Sequence, residues 1–205
     1  MTHINWPHIR ARLREAILVL PHFFRNPVNG MRMLPEWDWP TMLILQGIFA
    51  AACAILGNIL ERNYLGVITG LVIAPLMVYV VTGIFSGLFF YTFMFFFQRE
   101  VPFRQIYLHL IFAMIPVQVV GIVSGLIPPL ILLGGVATAM LLYVGFASNF
   151  HLERPKLKKL LAGLMAIYVA FWAVQLVRTS SRHEQLRLKA TPESLDILEK
   201  ELSDD

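Results

Sequence analysis

The sequence predicts an all-α fold: a polytopic transmembrane helical bundle of five spans, preceded by an N-terminal amphipathic helix in the membrane interface. Only 15% of the 205 residues are charged, whereas a soluble domain carries roughly 25%. Charges are also absent from whole blocks, and a membrane-crossing helix needs about 20 apolar residues. Apolar and polar residues nowhere alternate as they do in a barrel strand. The uncharged blocks are residues 39–60, 63–98, 105–152 and 160–177.

Three of these blocks hold four spans. The block of 48 residues must contain two helices, because one helix of that length would be about 72 Å long. Pro128-Pro129 is the natural turn between them. The predicted limits are residues 41–60 for span one, 103–123 for span three, 130–148 for span four and 160–177 for span five.

Residues 63–98 are harder to assign. The block is too long for one straight crossing and too short for two crossings with a loop. We predict one long, tilted or kinked helix as span two, with bends at Pro75 and Gly83. Dividing the block in two gives six spans as the alternative.

Lysine and arginine residues predict the orientation. With five spans, the N-terminal segment and the second and fourth loops carry 11 of them, and the opposite side carries 6. We therefore expect a cytoplasmic N-terminus and a C-terminus outside. The six-span alternative gives a weaker bias, 10 against 7. The predicted parts are a cytoplasmic amphipathic head and aromatic lead-in (1–40), a five-span transmembrane domain (41–178) and an extracytoplasmic charged tail (179–205).

The head carries an apolar stripe with three arginines off its face. Such a helix lies in the headgroup plane of an anionic membrane or packs on the cytoplasmic side of the bundle, and the sequence leaves both open. After it, Trp37 and Trp39 are placed for an interfacial aromatic belt. In the tail, residues 191–194 resemble a helix start. The stripe consists of Ile9, Leu13, Ala16, Ile17 and Leu20, and the arginines are Arg10, Arg12 and Arg14.

No catalytic constellation is present in the sequence. The sequence contains no HExxH metalloprotease motif, no paired CxxC, no GxSxG motif of serine hydrolases and no phosphate-binding loop. The single cysteine, Cys53, lies mid-span and is expected to pack as an apolar residue. We therefore expect no enzyme activity, no cofactor and no metal site.

Glycines predict where helices pack closely. Three pairs have the small-xxx-small spacing that lets backbones approach. We expect internal packing rather than a dimer interface, and hence little room for a wide aqueous pore. The pairs are Gly66 and Gly70, Gly83 and Gly87, and Gly121 and Gly125.

Polar residues at membrane depth are few, and none carries a fixed charge, which argues against an ion-coupled transporter. Charged and polar residues gather instead at the helix ends. Arg104 can bind lipid phosphate, serve as a topogenic charge, or pair with Glu100 at i, i+4. It can also pin the second loop to the fourth through Glu153, and we favour this structural role. His109 is read mainly as a packing residue. The candidate lipid, partner or structural cluster consists of Arg99, Glu100, Arg104, His109, Asn149 and Glu153.

Span three contains Pro116, twelve residues after Arg104. A proline there frees the carbonyl of Phe112. A neighbouring helix or a side chain such as Gln118 must then replace the lost hydrogen bond. We expect span three to be kinked and buried within the bundle.

Three stretches resemble the Yip-domain family of Ypt/Rab-interacting proteins: FRNPVNGMRMLPEWDWP (24–40), QREVPFRQIYLHLIFAMIPVQ (98–118) and SGLIPPLILLGGVATAMLLYVGFASNF (124–150). The shared features are Phe-Arg before span three, the following proline, and a final helix pair joined by a basic region. The resemblance covers residues 26–177 and implies five spans with a cytoplasmic N-terminus. Only Asp38-Trp39-Pro40 stands near the Asp-Leu-Tyr-Gly-Pro motif of eukaryotic members, so the chain is most similar to prokaryotic ones.

The expected function is therefore that of a non-catalytic integral membrane protein that organises membrane or partner proteins. The alternative is a lipid scramblase or small-solute transporter with a polar seam between spans two to four. Expected partners are anionic lipid headgroups at the cytoplasmic face and an unidentified protein, with self-association left open and no nucleic acid. The expected location is a prokaryotic cytoplasmic membrane.

Overall fold

In the computed structural model, residue 14 and residues 18–189 are described, with side chains to residue 174 and at residue 176. The predicted head helix and the predicted helix start in the tail lie largely outside this part. The chain forms two compact units, residues 1–162 and 163–205. Every regular element in the described residues is helical.

Five helices are long and apolar enough to cross a membrane. They match the five predicted spans to within a few residues at most ends, although the last begins six residues earlier than predicted. A short helix and a helical stretch at residues 18–25 precede them. The helices are α1 (Pro27–Arg32), α2 (Trp39–Leu60), α3 (Tyr64–Phe95), α4 (Phe103–Ser124), α5 (Leu130–Asn149) and α6 (Arg154–Lys189).

Short polar side chains begin two of these helices. The Asn26 side chain accepts a hydrogen bond from the Asn29 backbone N–H at 3.2 Å, and Pro27 opens α1. Asn63 accepts one from the Gly66 backbone N–H at 2.9 Å. Such caps satisfy N–H groups that have no partner within the helix. The three-residue connection 61–63 therefore turns the chain tightly from α2 into α3.

Helix α3 settles the question of residues 63–98. It runs unbroken for 32 residues with Pro75 inside it, so it is one span and the six-span alternative is wrong. At 1.5 Å per residue its length is about 48 Å, more than the roughly 30 Å of a hydrocarbon core. Only 6% of its most apolar window is buried within the protein. Most of α3 thus presents apolar side chains to lipid.

Helix α4 lies at the centre of the first unit. It contacts α1, α2, α3 and α5, and 50% of its most apolar window is buried. The prediction of a buried span three is confirmed. Gln118 does not replace the bond lost at Pro116, because among the described residues its side-chain amide donates no hydrogen bond to the Phe112 carbonyl.

The aromatic lead-in packs on α4. Phe23 and Trp37 lie with their ring centroids 5.1 and 5.4 Å from that of Phe112. Trp37 is 1% exposed, so its assignment to an interfacial belt is wrong. Trp39 is partly exposed and contacts the rings of Phe103 and Tyr107. The lead-in therefore belongs to the core at one end of the bundle, which we call the lead-in end.

The glycine prediction holds for one pair. Gly70 faces Ala54 and Asn58 of α2, and Gly66 also faces Asn58. Gly83, Gly87 and Gly121 have open space where a Cβ would be, so they are not packing glycines. Gly125 faces only the Glu61 side chain.

The closest backbone approach occurs on α5 instead, where a Cβ on Gly134 would lie 2.8 Å from the Val117 Cα. Gly145 of the same helix is crowded by side chains, because a Cβ there would lie 2.7 Å from the Met31 Cε. Neither glycine has a second glycine four residues away, so the search for glycine pairs missed both.

Candidate functional site

A cavity of about 340 Å³ lies at the lead-in end of the bundle. The lead-in, the first turns of α4 and the residues around the end of α5 form its walls. Three of the six predicted site residues line it: Arg104, His109 and Asn149. The other lining residues are Arg32, Leu34, Pro35, Glu36, Trp37, Gln105, Leu108, Ser148, Phe150 and His151.

A chain of hydrogen bonds at His109 joins three segments beside this cavity. The His109 Nδ1 lies 2.7 Å from the Gln105 carbonyl oxygen, which can only accept, so Nδ1 carries the proton. Nε2 then accepts from the Asn149 Nδ2 at 2.6 Å. The same amide donates to the Met31 carbonyl at 2.9 Å. We call this arrangement the His109 lock; it ties α4 to α5 and to α1.

Packing around the lock holds the imidazole in place. The His109 ring centroid lies 4.7 Å from that of Phe150 and 5.8 Å from that of Phe146. A Cβ on Gly145 would lie 2.8 Å from the His109 Cδ2, so only glycine leaves room for the ring. His109 is 4% exposed and both ring nitrogens are bonded. The packing interpretation of His109 therefore agrees with the structure.

The rim of the cavity is basic. Arg32 and Arg104 are both exposed. The side-chain ion pair found in the described residues joins Glu153 to Lys156 at 3.0 Å, away from this rim. Glu36 also lines the cavity, but neither arginine forms an ion pair with it or with any other described residue. Two guanidinium groups at the rim can therefore bind an anion.

The predicted pin between Arg104 and Glu100 or Glu153 is wrong. Glu153 lies just before the first residue of α6 and pairs with Lys156 three positions later. Pairing with a residue one helical turn away costs less conformational entropy than pairing with a residue on another loop. Arg99, Glu100 and Glu153 are all exposed and do not line the cavity.

Four cavity residues were missed from the sequence. They are Arg32, Glu36, Trp37 and His151; of these only Trp37 was discussed above, as an interfacial residue. No spacing in the sequence pointed to these residues, because they come together only where the lead-in, α4 and the end of α5 meet. His151 has a φ of 51°, a left-handed conformation that few side chains adopt.

A second polar cluster joins three helices at mid-bundle. The Gln46 Nε2 donates to the Thr82 Oγ1 at 2.7 Å, and the Tyr107 hydroxyl donates to the Gln46 Oε1 at 2.8 Å. Gln46 and Thr82 are fully buried. Lipid tails offer no hydrogen-bond partner to these polar side chains. The bonds therefore hold α2, α3 and α4 in one arrangement.

The described residues hold no group of three or more His, Cys, Asp or Glu side chains placed to bind a metal ion. Cys53 is a free, half-buried thiol.

A family model described as the Yip1 domain matches residues 22–176, well over half of the chain. The chain belongs to the Yip1 family. No curated protein and no solved structure matches it. The Yip1 domain here includes the lead-in, the whole cavity and the five candidate spans, so the protein is a multi-pass membrane protein of the Yip type.

Proposed function

We propose that this Yip1-family protein is non-catalytic and organises its membrane by binding phosphate-bearing lipid headgroups in the cavity at the lead-in end. The observation that carries the proposal is the pair of exposed arginines on one rim, Arg32 and Arg104, which have no ion-pair partner among the described residues. Guanidinium groups match phosphate oxygens in geometry and charge. A protein partner bound at the same face would extend the organising role.

The position of the rim favours a lipid over a soluble anion. Arg104 is the second residue of α4, a candidate span, and so lies near the level of the headgroups. Between residues 18 and 176, eight of the nine lysine and arginine residues lie in the segment 18–40, in the connection 96–102 or in the first two turns of α4 and α6, and the ninth is Arg62. Basic clusters at helix ends attract anionic lipids of the cytoplasmic leaflet. The same bias supports a cytoplasmic N-terminus in a prokaryotic cytoplasmic membrane.

The state of His109 favours binding over catalysis. A general base needs a nitrogen lone pair within reach of a substrate proton. In His109 one nitrogen donates to a backbone carbonyl and the other accepts from Asn149. The histidine thus supports the cavity wall and has no free nitrogen for proton transfer.

Analysis of copurified lipid tests the proposal. The full chain is purified in mild detergent from a membrane containing phosphatidylglycerol and phosphatidylethanolamine, and bound lipids are counted by native mass spectrometry. We expect Arg32→Gln/Arg104→Gln to lose bound phosphatidylglycerol. Arg99→Gln is the matched control, because Arg99 is equally exposed at the same end but lies outside the cavity. Equal loss in the control, or no loss in the double variant, contradicts the proposal.

A lipid scramblase is the second candidate. Its support is a set of buried polar atoms at membrane depth that have no hydrogen-bond partner among the described residues: the Ser86 Oγ, the Gln118 Oε1 and the Thr138 Oγ1. These three oxygens lie on three different helices, and none of their residues lines the cavity at the lead-in end. We therefore rank lipid binding at the arginine pair first.

Proteoliposomes separate the two candidates. Fluorescent lipid in the inner leaflet is shielded from dithionite unless it crosses the bilayer. We expect the reducible fraction to stay constant as the amount of protein rises. A reducible fraction that rises with protein dose would replace the first candidate with the second.

A further inference from the structure

The cavity at the lead-in end, which we call the anion cavity, carries one acid beside its two arginines. Glu36 is exposed and lines the same cavity as Arg32 and Arg104, yet it forms no ion pair with either of them in the described part of the chain. A carboxylate repels phosphate, so Glu36 opposes the binding that the arginines favour. Affinity for phosphate alone therefore does not account for an acid at this position.

Glu36 is held at the cavity wall by its neighbours in the chain. It lies in the segment that joins α1 to α2. Before this segment, Met31 is fully buried and its carbonyl is held by the His109 lock. Directly after Glu36, Trp37 is 1% exposed. Because both anchors are buried in the core, Arg32 and Glu36 stay at the wall between them.

The charged side chains that line the anion cavity sum to one positive charge. They are Arg32, Arg104 and Glu36, and the histidines of the lining, His109 and His151, are counted as neutral. A phosphodiester carries one negative charge, whereas a phosphomonoester carries about −1.5 to −2 at pH 7. The charge of the cavity therefore balances that of a phosphodiester and leaves a phosphomonoester with an excess of negative charge beside the Glu36 carboxylate.

Glu36 can also recognise the part of the headgroup beyond the phosphate. An ionised carboxylate only accepts hydrogen bonds, and its bonds from hydroxyl groups are short and strong. The glycerol headgroup of phosphatidylglycerol offers hydroxyl groups and leaves the lipid with one net negative charge. The ammonium of phosphatidylethanolamine cancels the phosphate charge, so that lipid leaves the positive charge of the cavity unbalanced.

We propose that Glu36 is the specificity-determining residue of the anion cavity, and that it restricts the ligand to a phosphodiester lipid with one net negative charge and hydroxyl donors, the class of phosphatidylglycerol. This inference rests on the proposed function, because Glu36 acts on a phosphate that the two arginines bind. Across about 9 Å, the width of a sphere of about 340 Å³, one additional unit charge changes an affinity by about 2- to 20-fold.

Titration of the purified full chain in detergent at pH 8 tests the role of Glu36, with apparent Kd values from native mass spectrometry. The probes are short-chain phosphatidylglycerol, phosphatidic acid, phosphatidylethanolamine and phosphatidylmethanol. We expect the parent to bind phosphatidylglycerol most tightly, since phosphatidic acid carries excess charge, phosphatidylethanolamine is neutral and phosphatidylmethanol has no hydroxyl. In Glu36→Gln, the ratio of the Kd for phosphatidic acid to that for phosphatidylglycerol should fall by about 2- to 20-fold.

A matched variant separates this effect from a general change of charge. Glu100→Gln removes the same charge from an exposed acid outside the anion cavity, and its ratio of Kd values should equal that of the parent. Because Glu36 is exposed and has no ion-pair partner among the described residues, Glu36→Gln should melt like the parent without lipid. A changed ratio then reports recognition rather than loss of fold.

An unchanged ratio in Glu36→Gln overturns the inference, as does an equal fall in Glu100→Gln. It is also overturned if the parent binds any of the other three lipids as tightly as phosphatidylglycerol. Arg32→Gln/Arg104→Gln tells this failure from that of the proposed function. A double variant that binds phosphatidylglycerol as the parent does overturns both, whereas lost binding there, with an unchanged ratio in Glu36→Gln, overturns only the role of Glu36.

Discussion

The Asn149 amide donates to the His109 Nε2 at 2.6 Å and to the Met31 carbonyl at 2.9 Å. One side chain at the end of α5 therefore holds α4 and the lead-in together. Both hydrogens of the amide are used, and both acceptors are otherwise hidden from water. The wall of the anion cavity depends on this residue, although Asn149 carries no charge itself.

Removing either half of the His109–Asn149 pair should destabilise the protein. Asn149→Leu leaves two acceptors without a donor, which costs about 2–4 kcal/mol. A cycle with His109→Leu should give a coupling energy of about 1–3 kcal/mol, measured by chemical unfolding in detergent. Asn29→Leu, at an exposed position, is the control and should shift stability by less than about 0.5 kcal/mol. Additive effects would mean that the pair does not form.

Two threonine variants test the hydrogen-bond assignments inside the bundle. Thr82→Val removes a hydroxyl that is bonded to Gln46 and should cost about 0.5–2 kcal/mol. The same change at Thr138 removes an oxygen without a partner in the described residues, so it should be neutral or stabilising. The melting temperatures of the two variants are measured in the same detergent and compared with that of the parent. Equal destabilisation would contradict the assignments.

Glycine variants test the packing. Gly145→Ala places a methyl group against Met31 and His109 and should destabilise by about 1–3 kcal/mol. Gly87→Ala meets nothing within 4 Å and should stabilise α3 by about 0.5–1 kcal/mol, the difference in helix propensity. The melting temperature should therefore fall for Gly145→Ala and rise for Gly87→Ala. Loss of stability at Gly87 would indicate a contact with another copy of the chain.

The spans were predictable because lipid leaves few alternatives. Charged residues stop each uncharged block, and a backbone in hydrocarbon must be helical. The number of spans in residues 63–98 was ambiguous, because a hydrophobic stretch of that length does not itself show whether the chain crosses the membrane once or turns back and crosses it twice. Asn63 caps α3 and the helix then continues past Pro75 and Gly83, so the sequence offered no turn.

The site was only partly predictable. Arg104, His109 and Asn149 stood out because polar residues at membrane depth are rare. Their arrangement was not visible, since ion-pair partners depend on which loops meet. Trp37 reads as an interfacial residue by composition, yet burial against Phe112 overrides that tendency. No sequence motif surrounds Gly145, and its crowding becomes apparent only when α1 and α4 are packed against α5.

Reporter fusions test the orientation. The charge bias of 11 to 6 and the five candidate spans predict that a fusion after Glu153 reports from the cytoplasm. A fusion after Asp205 should report from outside. Fusions in the connection 61–63 serve as an internal control and should also report from outside. Two cytoplasmic reports, after Glu153 and after Asp205, would contradict the five-span arrangement.

The most direct test of the anion cavity is a titration with short-chain phosphatidylglycerol that follows the melting temperature of the full chain in detergent. Because Arg32 and Arg104 are exposed and have no ion-pair partner among the described residues, Arg32→Gln/Arg104→Gln should melt like the parent without lipid, within about 0.5 kcal/mol. The parent and Arg99→Gln should be stabilised by the lipid, and the double variant should not be. A double variant that is stabilised as strongly as the parent would contradict lipid binding at this rim.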